Sequence, residues 1–418
     1  MLLQPANLYK NLQKLYSRRI NLDLNRINKV LKKLHSPHLE LINPINILGS
    51  DGKMSILTSL KYFFEANKNK VNAFTSPHLY DVRHRFFLKN KFITCSQIKS
   101  LTKIIEKTKV KLTLFELLTC VYILASKKQK GISYNLIESG LLFKKDSTNL
   151  WKYPKAQIIS NINFQHKEWI NPKTLHEICK QKVGSLSNNT IIYINKQKPK
   201  TLKIIKSLLK RNNSKIIFPH SWKIIKVSNR YVYKDKKNKI PIITKNIYSK
   251  GLINNLGFAI KIALDFGIKK KIIIKTIPKI KYEGRLQYIK SGKLRKHLMT
   301  NEKLLIDGCH SLTSGKNLNE YLKTLKEPIY GIWGMQKNKM PKEFIGIFKK
   351  TFVKLITLTI PNEPNAVTAE KLKSFSHKDN TFTSKNIYEA LKLISNKEKK
   401  TIVVFGSLYL VGDILSKN

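Results

Sequence analysis

A short strand followed by a glycine-containing loop and a helix constrains this chain more than any other segment. Residues 44–48 (PINIL) are an apolar run, 49–55 (GSDGKMS) are typical of a turn, and 56–67 repeat apolar residues at helical spacing. Glycines let backbone N–H groups face phosphate oxygens, and the N-terminus of the next helix adds partial positive charge. The segment predicts a phosphate-binding loop in which Lys53 reaches the β- and γ-phosphates of a nucleotide.

The spacing of this loop differs from the strict GxxxxGK[ST] pattern, because Ile47 holds the place of the first glycine. Taken alone, GxxGKxS is equally compatible with a glycine-rich turn after a strand that binds nothing. Features elsewhere in the chain must decide between these two interpretations.

Strand-like and helical segments alternate after the loop. A second strand is predicted at 71–79, and strand-like 158–162 and 190–194 alternate with helical stretches at 113–126 and 173–182. Such alternation predicts an α/β fold with a parallel sheet.

A second unit is predicted to begin near 283–300. It contains four short apolar runs that we interpret as buried strands, at 303–308, 329–334, 354–360 and 401–407. Helix-compatible segments separate them, which indicates a smaller doubly wound domain that binds ligands at the carboxyl ends of its strands. The lysine-rich segment 195–250 is the least regular part of the sequence. A length of 418 residues is compatible with two or three domains.

The net charge of +55, from 80 basic and 25 acidic residues, predicts a polyanionic partner when taken alone. The lysines, however, are spread over the whole chain together with many isoleucines and asparagines. These three residue types share A/T-rich codons, so a biased genome explains the composition more simply. We therefore expect weak, salt-sensitive binding to nucleic acid and no specific nucleic-acid site.

The sequence has no stretch of about 18 apolar residues that would span a membrane, and no secretory signal at its start. The cysteines at 95, 120, 179 and 309 are scattered, without a CxxC pair. This predicts a cytoplasmic protein without a disulfide framework, a structural zinc site or a membrane partner.

Further motifs carry a resemblance to one family. GSDGKMS, followed 20 residues after Ser55 by TSPHL, resembles the GTNGKGS…TSPHL signature of the folylpolyglutamate synthase / dihydrofolate synthase family, within the Mur-ligase group. The resemblance, to the bacterial bifunctional type, continues in order through INLDLNRI (20–27), LFELLT (114–119), ESGLLFKKDSTN (138–149), ISNINFQH (159–166), ICKQKVG (178–184), EGRL (283–286), LLIDGCHS (304–311), GMQKNK (334–339) and GSLYLVGD (406–413).

The resemblance implies a Mur-ligase-like ATP-binding domain with a parallel sheet at 1–280 and a smaller, Rossmann-like glutamate-ligase domain at 281–418. ATP would lie in the cleft between them. It also implies that L-glutamate is joined to dihydropteroate, to tetrahydrofolate or to both. The substrate carboxylate would attack the γ-phosphate of ATP, and the amino group of glutamate would take up the resulting acyl phosphate. The protein would position the reactants and neutralise charge.

Two other functions remain open at this point. One is a degenerate, non-catalytic relative that binds nucleotide or nucleic acid through its basic surface. The other is a ligase of the same fold that acts on a peptidoglycan precursor, although TSPHL and GSLYLVG disfavour it. The resemblance itself favours a monomeric enzyme.

The family motifs place one or two Mg²⁺ ions on Ser76, Glu138 and His166, and on Lys182 if that lysine is carbamylated. Without the resemblance, these residues would be interpreted as a loop cap, a solvated carboxylate, a surface histidine and an ordinary helical lysine. The resemblance makes Lys53, His166 and Lys182 the catalytic candidates.

The remaining motif residues are assigned to the two substrates. ATP is expected to contact Gly49, Ser50, Asp51, Gly52, Lys53, Met54, Ser55, Asn255, Arg285, Asp307 and His310. The pteroate or folate is expected to contact Asp23, Leu24, Asn25, Arg26, Phe115 and Asp146. Phe115 has the flat ring that stacks on a pterin, and an ordinary core role is equally compatible with it.

The sequence departs from the family pattern at several of these motifs. Met54 replaces a glycine of the phosphate loop, where a left-handed conformation would cost methionine about 1 kcal/mol. We therefore expect weakened ATP binding, with an ordinary helical conformation of Met54 as the alternative. The other departures are Leu142-Phe143-Lys144 for Gly-Gly-Arg, Gln165 for Asp, Gln181 and His84 for Glu, and Ser311-Leu312 for Asn-Pro.

Overall fold

The computed structural model describes residues 4–17, 20–228, 230–243, 247–376, 379–396 and 398–418, and it divides into two compact units. One unit comprises Met1–Ile243 and Asn254–Ile280, and the other comprises Thr244–Ile253 and Lys281–Asn418.

The larger unit is organised around a mixed sheet. Its strands are β1 (Pro44–Leu48), β2 (Val71–Phe74), β3 (Phe86–Leu88), β4 (Lys91–Phe92), β5 (Tyr134–Glu138), β6 (Ala156–Ile159), β7 (Ile191–Ile194) and β8 (Lys215–Ile217). They are arranged in the order β4-β3-β2-β5-β1-β6-β7-β8. Neighbouring strands are parallel in the part of the sheet that runs β2-β5-β1-β6-β7-β8. β3 is antiparallel to both of its neighbours, β2 and β4. Every residue of β1, β2 and β6 is buried, as expected for parallel strands covered on both faces.

Side-chain caps start three of the α-helices before residue 280 that the structure describes. The helices that begin at Cys95 and Leu114 each start with a capping box, formed by Thr94 with Gln97 and by Thr113 with Glu116. The helices are α1 (Pro5–Leu15), α2 (Asn25–Lys33), α3 (Lys53–Ala66), α4 (Cys95–Glu106), α5 (Leu114–Lys127), α6 (Leu175–Val183), α7 (Pro199–Leu208), α8 (Lys250–Asp265) and α9 (Lys270–Thr276). None of the helices in the described ranges is long and apolar enough to cross a membrane.

The segment predicted to be least regular, 195–250, contains a small antiparallel sheet, so that prediction is wrong. The sheet consists of β9 (Trp222–Val227), β10 (Arg230–Asp235) and β11 (Lys239–Ile242), in the order β11-β10-β9. Trp222, Tyr233 and Ile240 are buried on one face, and the exposed lysines of the other face obscured this alternation in the sequence.

The smaller unit has a second sheet, also mostly parallel. Its strands are β12 (Gln287–Ile289), β13 (Glu302–Asp307), β14 (Ile329–Trp333), β15 (Lys354–Leu358), β16 (Thr381–Ser384) and β17 (Lys400–Phe405), in the order β12-β13-β17-β14-β15-β16. Only β12 among these described strands pairs antiparallel. The helices are α10 (Leu312–Leu322), α11 (Pro341–Gly346), α12 (Ala369–Phe375), α13 (Ile387–Ile394) and α14 (Leu408–Lys417).

The predicted fold class, an α/β domain with a parallel sheet and a smaller doubly wound α/β domain, is confirmed. The four strands predicted in the smaller unit correspond to β13, β14, β15 and β17. β12 and β16 were missed because each is short and lies at an edge of the sheet. The helix after the glycine loop begins at Lys53, earlier than the predicted 56, and the strand predicted at 71–79 ends at Phe74.

Candidate active site

The carboxyl ends of four adjacent parallel strands bring the predicted residues to one edge of the larger sheet. The glycine loop follows β1, Ser76 follows β2, Glu138 ends β5, and the segment 160–166 follows β6. Because β2, β5, β1 and β6 are neighbours in the sheet, these segments meet although they are far apart in the sequence. Such an edge is where open α/β sheets bind ligands.

The two glycines of the loop have backbone conformations and close neighbours that would strain any residue with a Cβ. Gly49 has φ +134° and Gly52 has φ +91°. A Cβ on Gly49 would clash with Ser160 Oγ, and a Cβ on Gly52 would lie 2.6 Å from Asn255 Nδ2. Lys53 opens α3, and its Nζ lies 3.3 Å from the carbonyl oxygen of Gly49. The loop therefore has the tight backbone and the adjacent amine that phosphate binding requires.

The loop is held by the segment that follows β6. The backbone N–H groups of Ser50 and Asp51 donate to the carbonyl of Asn161 at 2.8 and 3.2 Å. The Asp51 carboxylate accepts from Asn163 Nδ2 at 2.6 Å and from Gln165 Nε2 at 3.1 Å. Gln165, which departs from the family pattern, thus contacts another member of the predicted ATP site.

His166 follows immediately, at φ +62°, and starts the 3-10 helix Lys167–Trp169. Asn255 of α8 also contacts the loop, since its Nδ2 donates to Ser55 Oγ at 2.9 Å and its Oδ1 accepts from Asn195 Nδ2 at 3.0 Å. Asn255 is therefore placed directly against the predicted phosphate site.

Lys182 of α6 is fully buried beneath the loop. Its Nζ donates to the carbonyl oxygens of Gly49 at 3.0 Å and of Leu141 at 2.6 Å. Burial lowers the pKa of Lys182 to about 7, and the nearby charge of Lys53 acts in the same direction. A substantial fraction of this amine is therefore neutral at physiological pH.

Ser76 and Glu138 form the part of the edge to which the motifs assign Mg²⁺. The buried Glu138 carboxylate accepts the backbone N–H of Ser76 at 3.2 Å. The described residues contain no group of three or more His, Cys, Asp or Glu side chains able to hold a metal ion. One carboxylate beside one hydroxyl nevertheless fits Mg²⁺, which is usually bound by one or two carboxylates together with water and substrate phosphates.

The residues at 23–26, which are predicted to bind pteroate, form hydrogen bonds and ion pairs with other residues of the chain. Asn25 begins α2, and its N–H donates to Asp23 Oδ1 at 3.1 Å. Arg26 forms an ion pair with Glu116, with Nη2 and Oε1 separated by 2.7 Å, and contacts Asp23 at 3.5 Å. Arg26 therefore connects α2 to the start of α5.

Phe115 and Asp146 both border Gly140. A Cβ on Gly140 would lie 2.8 Å from the Phe115 ring and 2.9 Å from the Asp146 carboxylate. The buried Asp146 accepts the N–H groups of Gly140 and Leu141 at 3.0 Å each, and both the N–H and the hydroxyl of Thr148. It thereby closes the loop that presents the carbonyl of Leu141 to Lys182.

In the smaller unit, the predicted nucleotide residues lie at the end of β13 (Asp307), just after it (His310) and in the turn before β12 (Arg285). Asp307 accepts the N–H groups of Leu286 at 2.9 Å and Cys309 at 2.8 Å. Burial raises the pKa of Asp307, and the positive charge of Arg285 opposes that shift. His310 Nδ1 lies 3.0 Å from the carbonyl oxygen of Gly308.

Several departures from the family pattern have local structural explanations. Leu142 and Phe143, which replace two glycines, are buried in an apolar cluster with residues of α6. Ser311 caps α10 through a capping box with Ser314. Gln181 donates to Glu177 Oε1 at 2.7 Å, one turn earlier on α6. These substitutions therefore have structural roles.

Met54 lies in the first turn of α3, and it is absent from the residues with positive φ. The expectation that it strains the loop in a left-handed conformation is therefore wrong, and the helical alternative is the one observed. A glycine here would instead weaken the helix.

We expect Met54→Gly to leave the Michaelis constant for ATP within about twofold and to lower the free energy of unfolding by up to about 1 kcal/mol. Steady-state kinetics and denaturant melts would measure both quantities. Met54→Ala, which keeps helix propensity, is the control. A severalfold lower Michaelis constant in Met54→Gly alone would show that methionine does impair the loop.

Comparison with known proteins agrees with this geometry. Residues 290–417 match the family model described as dihydrofolate synthetase, C-terminal domain. The dihydrofolate synthetase of Saccharomyces cerevisiae is 24% identical over 95% of this chain and 97% of its own. The fold is similar to that of Mycobacterium tuberculosis folylpolyglutamate synthase complexed with ADP, with a TM-score of 0.85, 18% identity, and coverage of 98% of this chain and 97% of the other.

A further similar fold is the bifunctional folylpolyglutamate synthase/dihydrofolate synthase of Yersinia pestis, complexed with AMPPNP and a Mn ion. Its TM-score is 0.83 at 17% identity, and the match covers 99% of this chain and 98% of the other. The likeness thus extends over both units of the chain.

Proposed function

Because this chain belongs to the folylpolyglutamate synthase / dihydrofolate synthase family, we propose that it joins L-glutamate to a pteroate or folate carboxylate at the expense of ATP. The observation that carries the proposal is the loop at 49–55, with two glycines at positive φ and Lys53 at the start of α3, at the carboxyl edge of the sheet. Dihydropteroate is the acceptor we favour, because the matching family model and the yeast relative are both dihydrofolate synthetases.

The residues of the larger unit have distinct tasks in this proposal. The backbone of 49–52 and the Lys53 amine bind the ATP phosphates and offset the charge that develops during phosphoryl transfer. Ser76 and Glu138 would hold Mg²⁺, which would supply positive charge to the phosphate oxygens, and His166 would contribute at the same edge. The substrate carboxylate attacks the γ-phosphate and releases ADP, after which the glutamate amino group displaces phosphate from the acyl phosphate.

We further propose that Lys182 carries a carbamate in the active enzyme and holds a second Mg²⁺. The neutral amine attacks CO₂, a C–N bond forms, and one proton leaves to solvent. A pKa of about 7 supports this step, because the neutral amine that must react is present at physiological pH. The carbamylated side chain would give up at least one of its two hydrogen bonds to the carbonyls of Gly49 and Leu141.

The proposal also covers the location, the oligomeric state and the partners of the protein. We propose a cytoplasmic monomer without a sequence-specific nucleic-acid site, since the excess lysines are distributed along the whole chain. Arg285, Asp307 and His310 are proposed to contribute to nucleotide binding from the smaller unit. The non-catalytic alternative is not favoured, because Lys53, Ser76, Glu138 and Lys182 are all present at the sheet edge.

The proposal predicts that purified protein converts ATP to ADP and phosphate only when a pteroate or folate acceptor and L-glutamate are both present. The acyl-phosphate route releases these products, whereas adenylation would release AMP and pyrophosphate. The assay is incorporation of labelled glutamate into dihydropteroate, with tetrahydrofolate as a second acceptor, combined with chromatography of the nucleotides. Appearance of AMP, or no incorporation into either acceptor, would contradict the proposal.

A further inference from the structure

Arg85 is a buried cation that forms no ion pair with a carboxylate of the described residues. Arg85 is only 6% exposed. No carboxylate of the described residues lies within 4.0 Å of its guanidinium. Nε donates to His78 Nδ1 at 2.8 Å and Nη1 donates to Ser76 Oγ at 3.0 Å. Because Nε is the donor, Nδ1 of His78 accepts this hydrogen bond and carries no proton. Both partners of the guanidinium are therefore uncharged.

Arg85 differs in this respect from the other buried cations among the described residues, Lys182 and Lys400. Lys400 lies 3.8 Å from the Glu302 carboxylate. Lys182 can lose its proton, because burial lowers its pKa to about 7. A guanidinium stays protonated in proteins, so Arg85 retains its charge although no carboxylate of the described residues forms an ion pair with it. Such an arrangement is unfavourable unless a ligand supplies the anion.

A second arginine in the same short segment provides the contrast. Arg83 and Arg85 both lie in the 3-10 helix Val82–Arg85. Arg83 is paired with Asp81, which accepts from its Nε at 2.8 Å and also contacts its Nη2. The nearest acidic residue in the sequence is thus already engaged by Arg83, and Arg85 is left to face the sheet edge.

The position of Arg85 connects it to the candidate active site. Its carbonyl accepts the N–H of Thr75 at 3.0 Å, which fixes it beside the end of β2. Its guanidinium contacts the hydroxyl of Ser76, whose N–H in turn donates to Glu138. Among the described residues, Nη2 has no hydrogen-bond partner. A planar donor is therefore available next to the residues proposed to hold Mg²⁺.

We propose that Arg85 binds a substrate carboxylate beside Ser76, either the reacting carboxylate of the pteroate or folate or a carboxylate of L-glutamate. This inference rests on the proposed function. A carboxylate has two coplanar oxygens that match the guanidinium donors, and its charge would balance the buried cation. The ATP phosphates have a separate binding element in the loop 49–55 and Lys53, so the anion required at Arg85 is a carboxylate.

Isothermal titration calorimetry on the full chain tests this inference. Dihydropteroate and L-glutamate are titrated separately into wild type, Arg85→Gln and Arg85→Lys, with Mg²⁺ and a non-hydrolysable ATP analogue present. We expect one of the two carboxylate ligands to bind about 10- to 100-fold more weakly to Arg85→Gln, with an intermediate loss for Arg85→Lys. The affinity for the ATP analogue should change less than about twofold. Arg83→Gln is the matched control and should bind all ligands as wild type does.

Circular dichroism and melting temperatures establish that the variants fold. If Arg85→Gln does not fold, the binding data for Arg85→Lys decide the question. If both carboxylates bound to the Arg85 variants as they do to wild type, the inference about Arg85 would be wrong and the proposed function would be unaffected. Weaker binding of the ATP analogue, with both carboxylates unaffected, would overturn it in favour of a phosphate. An equal loss in Arg83→Gln would reduce it to a general charge effect. If wild type bound neither carboxylate, the proposed function would fail as well.

Discussion

Lys53→Ala is expected to reduce turnover by about 10²- to 10³-fold while the protein remains folded. The Lys53 amine lies at the start of α3 and 3.3 Å from the carbonyl oxygen of Gly49, where it can turn towards phosphate oxygens. Charge that develops on those oxygens in the transition state would lose its nearest cation, and losses of this size follow removal of one such stabilising group. Glutamate incorporation at saturating substrates measures the effect, and circular dichroism establishes the fold.

Lys61→Ala is the matched control for this experiment. Lys61 lies two turns further along α3, where its Nζ is 3.8 Å from the centroid of the Phe87 ring. Removing it deletes the same charge from the same helix without touching the loop, so turnover should stay within about twofold of wild type. Near-normal turnover in Lys53→Ala would show that the phosphate loop is wrongly assigned.

Lys182→Met is expected to change how stability depends on pH. An unfolded lysine has a pKa of 10.5, whereas burial lowers that of Lys182 to about 7 in the folded protein. Between these values the unfolded state holds a proton that the folded state does not, so the free energy of unfolding rises with pH. This contribution is fully present above pH 10.5 and is lost as pH falls to 7. Methionine has a similar volume and cannot titrate.

From pH 7 to about pH 9.5, the free energy of unfolding of wild type should therefore rise by about 3 kcal/mol relative to Lys182→Met. Urea melts across this range, in CO₂-depleted buffer so that the amine stays free, provide the measurement. Lys180→Met, an exposed lysine on the same helix, controls for loss of a surface charge. Parallel pH profiles for wild type and Lys182→Met would contradict a lowered pKa of Lys182.

The parts of the site predicted from sequence are those whose information is local. A strand, two glycines and a helix start occur within 44–66, so the loop, its positive φ angles and the place of Lys53 follow from one short segment. The smaller unit was predicted equally well wherever a buried strand is a continuous apolar run, as in β13 and β17. Order along the chain was enough to align these segments with a family.

The contacts that shape the site depend on residues that no local pattern identifies. Asn163 and Gln165 bind Asp51 only because β1 and β6 are neighbours, and that pairing joins segments more than a hundred residues apart. The burial of Lys182 depends on the same tertiary arrangement. In a sequence with 80 basic residues, composition does not distinguish one lysine from another. Lys182 is distinguished by its complete burial in the folded protein.

The glycine loop also affects how the protein acquires activity during synthesis. Its contacts come from Asn161, Lys182 and Asn255, so the segment at 49–55 takes its shape only after about 200 further residues have been made. A nascent chain that ends before α8 has the complete phosphate motif but lacks the side chain that packs on Gly52. We therefore expect nucleotide affinity to appear late in the maturation of the larger unit. It would serve as a reporter of completed folding, on ribosome-bound chains of increasing length as well as on the purified protein.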